Sequence, residues 1–229
     1  MRVCAAPPFA VDAPRVDDAR WRAHDLLRVA PLALSLAPSG DEPDWVRDAL
    51  ARAPWVVVRR TCAAAGFVAV GVRGSVRSER FGTWLNTEDI ESSTSPEDLP
   101  GVDPLPARRA LPAFIALAAL RTSASPLGDY VWGPTGSAGF ELAAGVPTLT
   151  ASSDLDILIR VPRRISRAAI DSLAQSLAQA ASRAGTRIDA QLETPAGGVA
   201  LAELAAHKPR VMARAFSGAQ LVADPWRTP

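Results

Sequence analysis

The sequence predicts an α+β fold in two parts: a smaller, β-containing α/β module over residues 1–95, and a mixed sheet with packed helices over residues 105–229. Three observations predict it. Two short runs rich in β-branched and aromatic residues, Trp55 to Val58 and Phe67 to Val72, mark strands in the first half. The stretch 91–107, ESSTSPEDLPGVDPLPA, has little periodicity and much proline, serine and acid, the composition of a linker. Downstream, a strand, a helix and a strand follow one another between Asp154 and Glu193, an order that indicates an α/β or α+β layer.

Taken in order, the first twenty residues are proline-rich and read as a loose arm, and a short element runs from Trp21 to Val29. Asp44-Trp45-Val46 opens a short helix that Pro54 must end, because proline lacks the N–H and clashes with the preceding turn. The two strands of the N-terminal module follow, with Gly66 in the turn between them. Arg108 to Leu120 reads as an apolar, alanine-rich helix. Val131-Trp132 then leads into a turn-rich loop, Gly133 to Ser137, and Ser137 to Ala144 reads as a short helix closed by Gly145. Asp154 to Arg160, DLDILIR, is a strand. Ser166 caps a helix to about Ala184, with Ile170, Leu173, Leu177 and Ala181 on one face and Gly185 as its stop. Arg187 to Glu193, RIDAQLE, alternates with period two and is the next strand. The Pro195-Ala196-Gly197-Gly198 turn reads as a connection from that strand to a short helix over Leu201 to Ala206. No internal repeat is present.

Composition narrows the function. A net charge of +1 gives no global field toward a nucleic acid polymer or a membrane surface, and neither is expected as a partner. Lys208 is the only lysine, so the positive charge is almost all arginine, which follows from the alanine- and proline-rich composition of a GC-rich genome. Cys4 and Cys62 have no metal-binding or disulfide-framework spacing, which suggests a reducing compartment. With His24 and His207 as the only histidines, a zinc centre and a Ser-His-Asp hydrolase are both disfavoured. No apolar run reaches the roughly 20 residues that span a bilayer, and Pro7, Pro8 and Asp12 interrupt any leader-like stretch. A cytoplasmic location is expected.

The chemistry gathers in the C-terminal half. Side chains two apart on a strand share a face about 6.6 Å apart along the backbone, so Asp154 and Asp156 emerge together while Leu155, Ile157 and Ile159 face a covering helix. Two such carboxylates repel unless a cation lies between them. Mg²⁺, or alternatively Mn²⁺, suits them, because a hard cation held by one or two carboxylates completes its shell with substrate phosphates. A pair of metals about 3.5–4 Å apart clamps both oxygens of a phosphoryl transfer. On the next strand Asp189, Gln191 and Glu193 share one face, so Asp189 can point with the pair if the strands are neighbours. It is a candidate general base or a further metal ligand, and an exposed polar face explains it equally. Gly136-Ser137 opens a helix, where free amides bind anions and glycine admits a phosphate close to the backbone. Arg160 or Arg187 can add positive charge. A D-x-D pair or a glycine loop alone is weak, since either also ends an ordinary loop. The order glycine-serine loop, D-x-D strand, lone-Asp strand is much rarer.

That order resembles the DNA polymerase β-type nucleotidyltransferase superfamily. More narrowly, WGPTGSAGFELAAG (Trp132 to Gly145), SDLDILIR (Ser153 to Arg160) and QLETPAGGVAL (Gln191 to Leu201) resemble the phosphoribosyl-dephospho-CoA transferases of malonate decarboxylase, its holo-acyl-carrier-protein synthases. HDLLRV, WVVVRR, VGVRG and DPW also look like that family, so the likeness spans most of the chain. It implies a nucleotidyltransferase-like C-terminal domain that moves a triphosphoribosyl-dephospho-CoA group onto a serine of the malonate decarboxylase acyl carrier subunit and releases pyrophosphate. By motif, Asp154 and Asp156 match the family's catalytic, metal-binding aspartates, and Gly136 and Ser137 its phosphate loop. Asp189 rests on the superfamily pattern and strand alternation. The stretch VPTLTASS between Gly145 and Asp154 is longer than the family pattern and alters a loop near the donor.

Two other readings stay open. One is another nucleotidyltransferase, either of the citrate lyase prosthetic-group type or one that adenylates a hydroxyl; the other is a carrier-binding protein without turnover. Carriers of this kind are acidic, which makes Arg73, Arg77, Arg80, Arg108, Arg109, Arg163 and Arg164 candidates for a docking patch. Trp132, beside the glycine loop, is a candidate contact for the adenine.

Overall fold

The structure, a computed structural model, describes residues 3–4, 20–30, 42–76, 78–122 and 125–227. The chain divides into two compact units, Met1–Ser95 and Pro96–Pro229. Each is built on one six-stranded sheet, and the described residues form five α-helices in all, an α+β arrangement. None of these helices is long and apolar enough to cross a membrane.

The N-terminal unit holds β1 (Val3–Cys4), β2 (Leu26–Val29), helix α1 (Asp44–Arg52), β3 (Trp55–Val58), β4 (Phe67–Arg73), β5 (Arg80–Asn86) and β6 (Ile90–Thr94), with sheet order β1-β5-β4-β3-β2-β6. Val46 and Leu50 of α1 pack with Leu27, Val56, Val70 and Phe81, all essentially buried. Burying each such side chain contributes about 1.5–3 kcal/mol. The expected linker from residue 91 is corrected at its start: Ile90–Thr94 is the edge strand β6, paired antiparallel with β2. An edge strand with one neighbour tolerates the polar, exposed sequence ESST, which hides it from a hydrophobic pattern. The proline-rich arm is corrected for Val3–Cys4, which pair in parallel with β5, and otherwise lies outside the described residues.

The C-terminal unit carries α2 (Pro112–Leu120), β7 (Val131–Pro134), α3 (Gly136–Ala144), β8 (Leu155–Arg160), α4 (Arg167–Ala184), β9 (Ile188–Thr194), β10 (Gly197–Ala200), α5 (Leu201–Ala205), β11 (Val211–Ala215) and β12 (Gly218–Val222). Its sheet runs β12-β11-β10-β9-β8-β7 and is mixed: β8 and β9 are parallel, every other pair antiparallel. The parallel pair needs a crossover, and α4 supplies it. Ser166 caps α4 by accepting from the Ala169 amide, and Gly185 ends it in the left-handed conformation. The buried stripe of α4 is Ile170, Leu173, Leu177 and Ala180, so the expected Ala181 gives way to the residue before it. Helices α2, α4 and α5 pack on one sheet face, over Leu155, Ile157, Ile159 and Leu192.

Two further expectations are corrected here. The helix expected from Arg108 starts at Pro112, and Pro106–Arg108 forms a short 3-10 turn ahead of it. Proline fits the first helical turn and not the interior, so the helix begins where Pro112 allows. Residues 195–198 turn a hairpin between β9 and β10 rather than leading directly to a helix. Gly197 adopts φ +116 there, and a Cβ on it would lie 2.3 Å from the Arg214 carbonyl oxygen.

Candidate active site

The site is built on the sheet face opposite α2, α4 and α5, at the N-terminal ends of β8 and β9. Strand register pairs Asp156 with Asp189, Leu158 with Gln191 and Arg160 with Glu193, so these side chains emerge on one face. The structure thus brings Asp189 beside Asp156. Asp154 lies one residue before β8. A single nitrogen of Arg187, Nη2, donates to Asp154 Oδ2 at 2.7 Å and to Asp189 Oδ2 at 2.9 Å. Asp154 and Asp189 therefore share one positive charge, and Asp156 stands beside Asp189 in the strand register. That proximity, first to Asp189 and then to Asp154, holds the Arg187 guanidinium above its ordinary pKa. Asp154 and Arg187 also border an open cleft of about 410 Å³ between the 151–152 loop and the C-terminal end of α4.

The helix start lies against these acids. Gly136, with φ +58, is the first residue of α3, and a Cβ on it would lie 2.0 Å from Asp156 Oδ2. The Thr135 amide donates to the Asp156 carbonyl at 2.8 Å, which locks the loop to the strand. Thr135 makes no side-chain capping bond to the first turn of α3. Glycine at this point lets the carboxylate strand approach the helix start this closely.

Arg160 is placed elsewhere. It is four residues along β8 from Asp156, roughly 13 Å in an extended strand. Its Nε donates to Glu97 Oε1 at 2.5 Å, and the side chain is only 13% exposed. The Pro96–Asp98 turn that carries Glu97 covers this end of the sheet, where a Cβ on Gly133 would meet the Pro96 carbonyl oxygen at 1.7 Å. Among the arginines, Arg187 and not Arg160 borders the acids. Trp132 pairs with Ile159 and so emerges on the helix-covered face, away from Asp156 and Asp189. Of the candidate docking arginines, Arg108 is withdrawn into a buried ion pair, Arg109 faces Asp103 at 3.4 Å, Arg164 pairs with Asp224, and Arg77 lies outside the described residues.

Among the described residues, no three His, Cys, Asp or Glu side chains are grouped so as to hold a metal ion by themselves. The donor set nonetheless fits a hard divalent cation that keeps substrate oxygens in its shell, because every donor at this corner is a carboxylate oxygen. Asp154 and Asp156 are the residues that would hold it.

The reading of the sequence missed Glu141. It is 2% exposed in the middle of α3 and accepts from the Thr148 and Leu149 amides at 2.7 and 2.8 Å, as well as from Arg108. The signal was a lone acid between Phe140 and Leu142 in a nine-residue helix with no other charged residue, a pattern that requires a buried partner.

Comparison with known proteins identifies the family. Residues 102–225 match the family described as the phosphoribosyl-dephospho-CoA transferase MdcG C-terminal domain, and residues 22–96 match its N-terminal domain. The chain is 45% identical over 207 residues to a phosphoribosyl-dephospho-CoA transferase of Pseudomonas putida strain W619, covering 89% of this chain and 94% of that one. It is 45% identical over 208 residues to the enzyme of the same name from Pseudomonas aeruginosa, covering 89% and 93%, and 43% identical over 193 residues to that of Azotobacter vinelandii, covering 81% and 86%. No solved structure matches the chain at a significant level. With both family domains matched in order and relatives aligned along most of its length, the chain belongs to the phosphoribosyl-dephospho-CoA transferase family.

Proposed function

We propose that this chain transfers the triphosphoribosyl-dephospho-CoA group to a serine of the acyl carrier subunit of malonate decarboxylase, releasing pyrophosphate, in the cytoplasm. The observation that carries the reading is the meeting of the Gly136 helix start with Asp156, beside Asp154 and Asp189 held around Arg187. The names of the relatives supply the transferred group.

The chemistry asks for positioning and charge neutralisation more than for a covalent catalyst. The serine oxygen attacks the α-phosphorus of the donor's triphosphate. A phosphodiester bond forms to the serine oxygen, the bond to the pyrophosphate oxygen breaks, and the hydroxyl proton passes to a base. We assign that base to Asp189, which is half exposed and paired in register with Asp156. The amides at the start of α3 and the Ser137 hydroxyl bind phosphate oxygens, and Arg187 neutralises their charge. Asp154 and Asp156 would hold Mg²⁺, or Mn²⁺ in its place, which would supply Lewis-acid stabilisation of the phosphate charge.

Mass spectrometry of the apo carrier subunit, after incubation with enzyme, donor and Mg²⁺, tests the proposal. A mass increase equal to the prosthetic group, lost on chelation with EDTA, is the expected result. An ATP-derived adenylyl adduct in its place assigns a different nucleotidyltransferase reaction. Stable carrier binding with no adduct refutes turnover.

A further inference from the structure

The loop that delivers Asp154 to the site has no regular structure of its own, and one buried side chain ties it down. Glu141 Oε2 accepts from the amides of Thr148 and Leu149 at 2.7 and 2.8 Å. Arg108 closes the arrangement: it donates from Nε and Nη2 to the two Glu141 oxygens, and from Nη2 to the Leu149 carbonyl at 2.7 Å. From there further bonds lead toward Asp154. The Thr150 amide donates to Ser153 Oγ at 2.9 Å, and the Ser153 amide returns to the Thr150 carbonyl at 3.1 Å. The Thr186 hydroxyl donates to the Ser153 carbonyl at 3.1 Å, and the Leu155 amide to the Arg187 carbonyl at 2.9 Å, so Asp154 is fixed on both sides. Glu141 stands on the same helix whose first residue, Gly136, abuts Asp156. Glu141 is five positions further on, about 7.5 Å of helix. One rigid element thereby sets the phosphate-binding helix start and, through its buried acid, the path of the chain into Asp154.

We infer that Glu141, clamped by Arg108, is a positioning residue that fixes the 146–153 loop and thereby the metal-holding carboxylate of Asp154. This rests on the reading of Asp154 given under the proposed function. A group that orients a ligand without touching the metal typically controls about 10–100-fold of affinity or rate. A merely structural acid would change stability and leave the folded enzyme's cation affinity and kcat alone.

The test uses the full-length enzyme and four measurements: hydrogen exchange at the Thr148 and Leu149 amides, Mn²⁺ affinity by electron paramagnetic resonance, kcat, and donor KM. In the wild type both amides are expected to be protected. In Glu141→Gln they exchange at least about tenfold faster, Mn²⁺ affinity and kcat each fall about tenfold, and donor KM stays within about twofold. Arg108→Lys keeps a charge beside Glu141 but loses the fork to Leu149, and should move the same quantities less far. Wild-type kcat and Mn²⁺ affinity in the folded variants would overturn the inference. So would wild-type Thr148 and Leu149 amides exchanging at the rate of an open loop, a result that decides the matter even if neither variant folds. Asp154→Asn separates the two levels. If it leaves transfer and Mn²⁺ binding intact, the reading of the site fails and this inference with it. If it disables both while the Glu141 and Arg108 variants do not, only the positioning role fails.

Discussion

The Asp156 carboxylate lies over the Cα of Gly136, so close that a methyl group on that carbon would meet Oδ2 at 2.0 Å. Gly136 also holds φ +58, which costs an L-residue about 1–2 kcal/mol. Gly136→Ala is therefore expected to lower the melting temperature modestly, by the few degrees that such a cost implies. Activity should suffer far more, because the carboxylate must move away from the helix start to admit the methyl. We expect transfer to fall at least about a hundredfold, equivalent to roughly 2.7 kcal/mol of transition-state stabilisation. Steady-state kinetics alongside thermal unfolding checks this, and an alanine variant with normal turnover would refute the contact.

Asp154→Asn and Asp156→Asn change charge and little else in volume. Both side chains stand outside the buried core, so both variants should fold. Each is expected to lose transfer by about a thousandfold or more, the rate equivalent of roughly 4 kcal/mol. Circular dichroism with a single-turnover transfer assay separates folding from chemistry. Near-normal turnover in either variant ends the metal assignment.

Most of this corner was legible in the sequence because its signals are local. Alternation along DLDILIR and RIDAQLE correctly assigned which residues share a face, and register then set Asp189 opposite Asp156. Gly145 and Gly185 marked helix ends because no other residue adopts that backbone so readily. The pairing of Arg160 was not legible because its partner, Glu97, is 63 residues away and arrives on a turn that composition had assigned to a linker. Strands β10, β11 and β12 escaped notice because they are short, carry small or polar residues and include an edge, so burial never imposes a clean alternation. Glu141 was missed for a similar reason: its partners, Arg108 and the 148–149 amides, come together only in the folded chain.

Arg187 donates to Asp154 Oδ2, an oxygen that the proposed divalent cation would also use, and to the neighbouring Asp189. Removing the guanidinium leaves the acids without their internal counter-charge, which favours an external one. Arg187→Ala is thus expected to bind Mn²⁺ several-fold more tightly in the absence of donor, while donor KM rises because a phosphate-neutralising charge is lost. Mn²⁺ titration followed by electron paramagnetic resonance, with donor kinetics on the same preparation, measures both. Weaker Mn²⁺ binding in the variant would mean that Arg187 organises the acids for the cation rather than competing with it.

The Glu141–Arg108 pair makes acid stability predictable in sign. Burial pushes the Glu141 carboxyl upward, but the bonds from Arg108, Thr148 and Leu149 outweigh it and hold the group below its ordinary value of 4.5. A carboxylate with a depressed folded-state pKa stabilises the fold fully above its unfolded pKa, and that contribution disappears as pH falls through the folded value. The wild type should therefore lose stability progressively from about pH 4.5 downward as Glu141 protonates. Glu141→Gln leaves Arg108 facing a neutral partner and should cost about 3 kcal/mol at pH 7, the lower end for a broken buried pair because Arg108 is 21% exposed. Denaturant unfolding of both proteins between pH 7 and pH 3 should show this difference shrinking below about pH 4.5. A difference that stays constant to pH 3 would mean that Glu141 is not charged in the folded chain.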